Sequence, residues 1–113
     1  MHEYSLVMAM MKQVQHYAEL HHATKVHRLF VRIGQHAGVE RALFGTAYEM
    51  VRAGTICADA ELVMLQEATE WVCPSCGQRI ETGAVLACPR CEWPAELAGG
   101  DALVLERVEM EVP

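Results

Sequence analysis

Apolar residues recur at three- and four-residue steps near the start of the chain. Within the segment from Tyr4 to about His22, the recurring residues are Val7, Met10, Val14 and Tyr17. On an α-helix this spacing places the apolar side chains on one face, against a core. The pattern therefore predicts an amphipathic first helix, with the residues before Tyr4 forming a short tail.

Three segments further along the chain are predicted as β-strands. Residues 26–34 alternate between apolar and more polar positions, 61–66 are apolar on both faces, and 104–112 alternate apolar residues with glutamates. A period of two is typical of a strand with one buried face. A second helix is predicted between the first two strands, from a stripe made of Val39, Leu43, Ala47, Met50 and Val51.

The order of these elements predicts an α+β fold. Two helices would cover a three-stranded sheet, since each must bury its apolar side against another element. A cysteine-rich segment lies between the second and third strands, so we expect it to be an inserted, zinc-ribbon-like module. The expected domains are residues 1–69 with 101–113, and residues 70–100.

Four cysteines define the inserted segment. They form two Cys-Pro-x-Cys pairs separated by eleven residues: Cys73 with Cys76, and Cys88 with Cys91. Two such turns can provide the tetrahedral thiolate cage that Zn(II) favours. All four ligands come from the protein, which indicates a closed structural site. Glu92 stands where many zinc knuckles have glycine, which is compatible with zinc and leaves open whether the second turn keeps its geometry.

Composition narrows the classes of function. The formal net charge is −6 and the Lys and Arg residues form no cluster, which argues against a nucleic-acid partner. No segment reaches the length of a membrane span and the N-terminus lacks a basic signal-peptide region, so we expect a cytoplasmic protein without a membrane partner. The fifth cysteine, Cys57, is interpreted as a small buried hydrophobe. No nucleophile elbow, phosphate-binding loop or H-E-x-x-H pair indicates an enzyme.

The N-terminal tripeptide offers ligands for a second metal. The α-amine of Met1, the peptide nitrogen between Met1 and His2, and the His2 imidazole can chelate one divalent ion. Three such nitrogens favour Ni(II) or Cu(II) over tetrahedral zinc, and Glu3 can add an oxygen or orient the imidazole. The same residues are also consistent with a solvated terminus that binds nothing.

Several segments in one order resemble the HypA/HybF family of hydrogenase maturation factors. They are the opening MHEYSL, VRIGQ at residues 31–35, LFGTAYE at 43–49, the CPSC and CPRC knuckles, and GDAL at 100–103. The resemblance covers essentially the whole chain. It implies a non-enzymatic nickel metallochaperone of two domains, with Ni(II) as transferred cargo and Zn(II) as a structural ion.

The resemblance also implies roles for individual residues and partners. The initial histidine, His2, would be the essential nickel ligand, Glu3 would assist, and Glu40 would match an acidic residue near the nickel. The expected partners are a HypB-type GTPase and the [NiFe]-hydrogenase large-subunit precursor, with urease accessory proteins as alternatives. The expected state is a monomer or weak homodimer. Unlike some relatives, this chain has no histidine after His36.

Two functions from other classes remain open on the sequence. One is a zinc-ribbon interaction or regulatory protein with an inert N-terminus. The other is a rubredoxin-like iron carrier, which would be red where a zinc protein is colourless. The acidic charge and the extent of the resemblance favour nickel delivery.

Overall fold

The computed structural model describes residues 2–81 and 85–113. Within these ranges it contains two helices and six strands. They are α1 (His2–Leu20), β1 (Lys25–Gly34), α2 (Arg41–Val51), β2 (Glu61–Glu67), β3 (Glu70–Val72), β4 (Arg79–Ile80), β5 (Glu96–Gly99) and β6 (Leu103–Glu111). None of the described helices is both long enough and apolar enough to cross a membrane.

The strands form two separate three-stranded sheets. The first has the order β2-β1-β6, and the second, antiparallel, has the order β4-β3-β5. The predicted fold class of two helices, a three-stranded sheet and an inserted cysteine module is therefore confirmed. The second sheet was not predicted, because its strands are two to four residues long and too short to show a period.

The described chain divides into two compact units. The first comprises Met1–Arg32, Val39–Leu65 and Val104–Pro113, and the second comprises Ile33–Gly38 and Gln66–Leu103. The second unit thus contains the four cysteines together with a short segment made of the last two residues of β1 and the four residues after it.

Helix α1 buries a face slightly different from the predicted one. Its buried residues are Glu3, Val7, Met10, Val14 and Ala18, whereas Tyr17 is exposed. The helix also begins at His2 and not at Tyr4. The predicted tail was therefore wrong for His2 and Glu3, which lie in the first helical turn.

Helix α2 is rotated relative to its predicted stripe. Phe44, Ala47 and Tyr48 are buried, while Leu43 and Met50 are 45% and 65% exposed. A buried hydrogen bond accounts for this choice, because the Tyr48 hydroxyl donates to the Ala60 carbonyl at 2.7 Å. Burying the large phenol with its polar end satisfied outweighs burying the flexible Met50 side chain.

Strand β1 alternates as predicted. Leu29, Val31 and Ile33 are buried. Arg28, at an alternate position of the strand, pairs with Glu61 and Glu109 on the neighbouring strands. The strand therefore supplies the central strip of the core of the first unit and a charged outer face.

Two glycines permit a close backbone approach within the second unit. A Cβ on Gly34 would lie 2.3 Å from the carbonyl carbon and oxygen of Gly100. Gly100 has a φ of 82°, and a Cβ there would lie 2.6 Å from the Ala68 carbonyl oxygen. Because both positions exclude a side chain, the segments that flank the insertion can meet directly.

The two cysteine knuckles have the same turn geometry. The Gly77 N–H donates to the Cys73 carbonyl at 2.8 Å, and the Glu92 N–H donates to the Cys88 carbonyl at 2.9 Å. Gly77 has a φ of 78° and Glu92 a φ of 62°. The structure answers the question that Glu92 left open: the turn is kept, and Glu92 adopts the left-handed conformation that favours glycine.

We predict that Glu92→Gly stabilises the protein. Removing the Cβ relieves about 1–2 kcal/mol of left-handed strain, partly offset by about 0.4–1 kcal/mol of added freedom in the unfolded chain. The free energy of unfolding of the zinc-loaded protein in urea should rise by up to about 1.5 kcal/mol.

Two control variants isolate the backbone effect. Glu92→Ala removes the carboxylate but keeps the Cβ, and should leave the free energy of unfolding nearly unchanged. Gly77→Ala should lower it by about 1 kcal/mol, because nothing lies within 4 Å of the added Cβ and the cost is conformational. Equal stabilisation by Glu92→Ala and Glu92→Gly would instead assign the effect to charge.

Candidate metal centres

The four predicted cysteine ligands converge in the second unit. The sulfur atoms of Cys73, Cys76, Cys88 and Cys91 all lie within 4.8 Å of one another. The Cys76 and Cys88 Sγ atoms are 3.8 Å apart, which matches the edge of about 3.8 Å expected for a tetrahedron with Zn–S bonds of about 2.3 Å. The cluster therefore fits a tetrahedral thiolate site for zinc.

Hydrogen bonds and burial within the cluster shift the pKa values of Cys73 and Cys91 in opposite directions. The pKa of Cys73 is lowered to about 7. The main cause is a hydrogen bond from the Cys76 N–H to the Cys73 sulfur, and the Ser75 N–H adds a smaller effect of the same kind. The pKa of Cys91 is raised to about 12, chiefly by its hydrogen bond with the Cys76 side chain and then by burial. One divalent cation that prefers thiolate would remove this conflict by displacing the remaining protons.

Trp71 connects the cysteine cluster to a histidine that the sequence did not single out. Trp71 packs against the group formed by Cys73, Ile80 and Cys88. The exposed His36 ring meets Trp71 edge-on, with ring centroids 6.0 Å apart. The second unit therefore contains a histidine, although none occurs after residue 36. No sequence pattern links His36 to Trp71, because the two residues lie far apart in the chain.

The proposed nickel residues lie at the start of α1. The His2 side chain is 61% exposed, and its Nδ1 lies 3.9 Å from Oε2 of Glu3. Glu3 is buried, at 9% exposure, although it is charged. The Ser5 hydroxyl donates to the His2 carbonyl at 2.8 Å and supports this first turn. Met1, predicted to contribute its α-amine, lies outside the described residues.

Glu3 connects the starts of the two helices. Its Oε2 accepts a hydrogen bond of 3.1 Å from the Glu40 N–H. This hydrogen bond is the main reason that the pKa of Glu3 lies below its usual range, and a hydrogen bond from the N–H of Glu3 itself lowers the pKa further. Because the lowered pKa belongs to the folded state, the carboxylate stabilises the fold above its unfolded pKa and loses this contribution as the pH falls through the folded value.

Glu40 caps helix α2. Its carboxylate accepts hydrogen bonds from the N–H groups of Ala42 and Leu43, at 3.4 and 2.9 Å. The cap satisfies two of the four N–H groups that lack partners within the helix. The structure therefore places the Glu40 backbone beside Glu3, with the Glu40 carboxylate engaged by the helix. Sequence reasoning missed this capping role.

Cys57 and His27 have surroundings of their own. Cys57 is fully buried, and burial raises its pKa to about 11, which suits an unreactive core residue. His27 Nε2 lies 3.2 Å from Oε1 of Glu111 on the first sheet, where both side chains are about half exposed.

Comparison with known proteins identifies relatives over the whole length of the chain. A family profile described as "Hydrogenase/urease nickel incorporation, metallochaperone, hypA" matches residues 1–110. Hydrogenase maturation factor HypA of Shewanella sp. (strain MR-7) is 36% identical, with 98% of this chain and 96% of the relative covered. The HypA of Wolinella succinogenes is 35% identical over the same shares.

Solved structures agree with these relatives. The solution structure of the Ni metallochaperone HypA from Helicobacter pylori matches with a TM-score of 0.76 and 27% identity, over 98% of each chain. A second solution structure of a HypA protein matches with a TM-score of 0.82 and 29% identity, over 97% of this chain and 96% of that one. The predicted resemblance is confirmed, and the chain belongs to the HypA family of hydrogenase and urease nickel-incorporation metallochaperones, which are not enzymes.

Proposed function

We propose that this protein binds Ni(II) at the start of α1 and delivers it during maturation of [NiFe]-hydrogenase. His2 is the principal ligand, the Met1 α-amine and the Glu3 carboxylate assist, and Glu40 lies nearby. The observation that carries this proposal is the contact set around Glu3, whose Oε2 lies 3.9 Å from the His2 ring nitrogen and 3.1 Å from the Glu40 nitrogen. Glu3 thus links the exposed imidazole to the residue that caps the second helix.

The position of His2 in the first helical turn suits coordination by a backbone nitrogen. The first four N–H groups of an α-helix have no carbonyl partner within the helix. Ni(II) could therefore displace the amide proton of His2 without breaking a helical hydrogen bond. Amine, amide and imidazole nitrogens together favour the tetragonal geometries of Ni(II) and Cu(II).

The carboxylates of Glu3 and Glu40 offset the positive charge at the starts of the two helices. A helix N-terminus carries a partial positive charge of about half an electron, and α1 and α2 both begin here. Without compensation, these charges would oppose a divalent ion. Glu3 and Glu40 supply two negative charges close to the two helix starts, which offsets that repulsion.

The exposure of His2 suits transfer to a partner. Its imidazole is 61% exposed and lies at the start of α1. The residues that α1 buries are other ones, so the imidazole is not part of the core. An incoming protein can therefore replace nickel ligands one at a time without disturbing the core. A ligand set provided mainly by one exposed turn also favours moderate affinity, which a carrier needs for release.

We further propose that the four-cysteine cluster holds Zn(II) as a structural ion in a zinc-binding domain. Four protein thiolates leave no open position, so this ion would not be the cargo. The second unit has a small buried core of Cys73, Ile80 and Cys88. Zinc binding of about 10–16 kcal/mol, as in zinc-finger peptides, would compensate for so little apolar burial.

The proposed partners follow from the family and from the motifs of the chain. A HypB-type GTPase would supply nucleotide hydrolysis, because this sequence contains no phosphate-binding glycine loop. The recipient is the large-subunit precursor of [NiFe]-hydrogenase, and a urease accessory protein is the second candidate because the family profile names both enzymes. We place this activity in the cytoplasm, where the thiols would stay reduced for metal binding.

We predict that His2→Ala abolishes specific nickel binding. Calorimetric titration of untagged, zinc-loaded protein should show about one Ni(II) per chain. Loss of a direct ligand should weaken binding by more than about 100-fold, since loss of outer-sphere partners alone costs about 10–100-fold. Zinc content and the circular dichroism spectrum should not change.

His16→Ala provides the matched control, because His16 is also an exposed histidine of α1. It should bind nickel like the unaltered protein. Equal binding by all three proteins would remove His2 from the nickel site. Binding by none of them would leave a zinc-stabilised interaction protein as the better interpretation.

Two variants of Glu40 separate helix capping from nickel binding. Asparagine is a good N-cap, so Glu40→Asn should keep the free energy of unfolding, whereas Glu40→Ala should lower it by about 1 kcal/mol. Both variants remove the carboxylate and should weaken nickel binding by about 2- to 5-fold, as expected for a nearby charge. Urea denaturation and calorimetry measure the two effects. Unchanged nickel affinity in Glu40→Asn would limit Glu40 to capping.

We predict that zinc binding is lost in acid. The protein should contain one colourless zinc ion per chain by elemental analysis, and zinc binding should release thiol protons. Because protons compete with the metal for thiolate, affinity should fall as the pH is lowered below neutrality. Competition with a chromophoric chelator between pH 5.5 and 7.5 measures this. An iron tetrathiolate spectrum, or pH-independent zinc affinity, would contradict the assignment.

A further inference from the structure

We infer that Cys76 is the modification site of the cysteine cluster, the sulfur at which electrophiles and hydrogen peroxide attack the zinc-loaded protein. This inference rests on the proposed occupancy of the cluster by zinc. Its first support is unequal burial, since Cys73 and Cys88 are 1% and 2% exposed, Cys91 is intermediate and Cys76 is exposed. An attacking molecule therefore reaches the zinc-bound thiolates from the Cys76 side.

Backbone hydrogen bonds protect the first cysteine of each knuckle. The N–H groups of Ser75 and Cys76 donate to the Cys73 sulfur, and the Cys91 N–H donates to the Cys88 sulfur at 3.4 Å. An N–H donor withdraws electron density from a thiolate and makes it a poorer nucleophile. Burial and hydrogen bonding therefore act in the same direction on Cys73 and Cys88.

The surroundings of Cys76 are also open. Every residue from 74 to 79 is exposed, and nothing lies within 4 Å of the position that a Cβ on Gly77 would occupy. Cys91 holds the equivalent place in the second knuckle, but it packs against the buried group of Cys73, Ile80 and Cys88. The two knuckles thus share a backbone turn and differ in access to the second sulfur.

Attack by hydrogen peroxide has a balanced course at this site. The Cys76 thiolate attacks one peroxide oxygen, an S–O bond forms, the O–O bond breaks, and hydroxide leaves. A second thiolate then attacks the resulting sulfenic acid, an S–S bond forms, and a second hydroxide leaves. We propose Cys88 as the partner, because its sulfur lies 3.8 Å from that of Cys76, and a sulfenic acid already formed at that distance does not have to reach the buried sulfur from solvent. Two thiolates are oxidised and one peroxide is reduced.

The modification would release the zinc ion. Cys73 and Cys91 would remain as ligands, one from each knuckle, and two thiolates do not complete a tetrahedral site. Because the second unit has little apolar core, loss of the ion should also disorder that unit. Oxidant would thereby act on the zinc-held unit and leave the residues at the start of α1 chemically unchanged.

The test labels the full-length, zinc-loaded protein. Zinc content is first measured by elemental analysis, then N-ethylmaleimide is added in limiting amount, and the labelled cysteines are identified by peptide mass spectrometry after quenching. Cys76 should react at least about 5-fold faster than Cys91 and more than about 10-fold faster than Cys73 or Cys88. Buried Cys57 is the internal control for unfolding and should stay unlabelled.

Hydrogen peroxide is then used with a chromophoric zinc indicator. One zinc ion should be released for each disulfide formed, and mass spectrometry should locate that disulfide between Cys76 and Cys88. First labelling at another cysteine, or equal rates at all four, would overturn the inference, and a Cys73–Cys76 disulfide would overturn its second step. Protein isolated without zinc would instead contradict the proposed zinc site.

Discussion

Gly34 and Gly100 bring two backbone segments closer together than any side chain would allow, and a third segment meets them through Ala68 and Thr69. The N–H of Gln35 donates to the Glu67 carbonyl at 2.8 Å, and that of His36 to the Gly100 carbonyl at 2.6 Å. The continuation of β1 is thus bonded to the segment that enters the insertion and to the segment that leaves it. An insertion of more than thirty residues can interrupt the chain between β2 and β6 because its two ends are fixed at this point.

The two proposed metal centres differ in where their ligands lie along the chain. The cysteine cluster is formed by two turns that lie apart in the sequence. Each turn is closed by a hydrogen bond from the N–H of the fourth residue after its first cysteine to the carbonyl of that cysteine. Such a site holds a metal by drawing together segments that would otherwise separate. The proposed nickel ligands lie mainly on one helical turn, so no distant segments need to part when the ion leaves. Retention and release follow from where the ligands lie in the chain as well as from their chemistry.

Local patterns allowed most of the fold to be predicted, and long-range contacts account for the remainder. The cysteine quartet was predictable because each pair lies within one turn, and β1 because its alternation is regular. The buried face of α2 was wrong by one position, because the hydrogen bond between Tyr48 and Ala60 decides it and hydrophobic spacing cannot. The bond between Glu3 and Glu40 joins residues 37 positions apart, so no pattern could place them together. The short strands of the second sheet depend on pairing with one another and carry no periodic signal of their own.

The buried carboxylate of Glu3 holds the first turn of α1 in a defined conformation. An ionised side chain is seldom buried without partners, and Glu3 has the Glu40 N–H and its own N–H as donors. This bonding fixes the first turn of α1, and His2 is the residue directly before Glu3 in that turn. The imidazole therefore remains accessible while its backbone is held in place, which lowers the entropy that binding a metal would otherwise cost. A glutamine could accept the same hydrogen bonds but would not offset the positive ends of the two helices, so the charge of Glu3 would favour the proposed metal ion while its hydrogen bonds stabilise the fold.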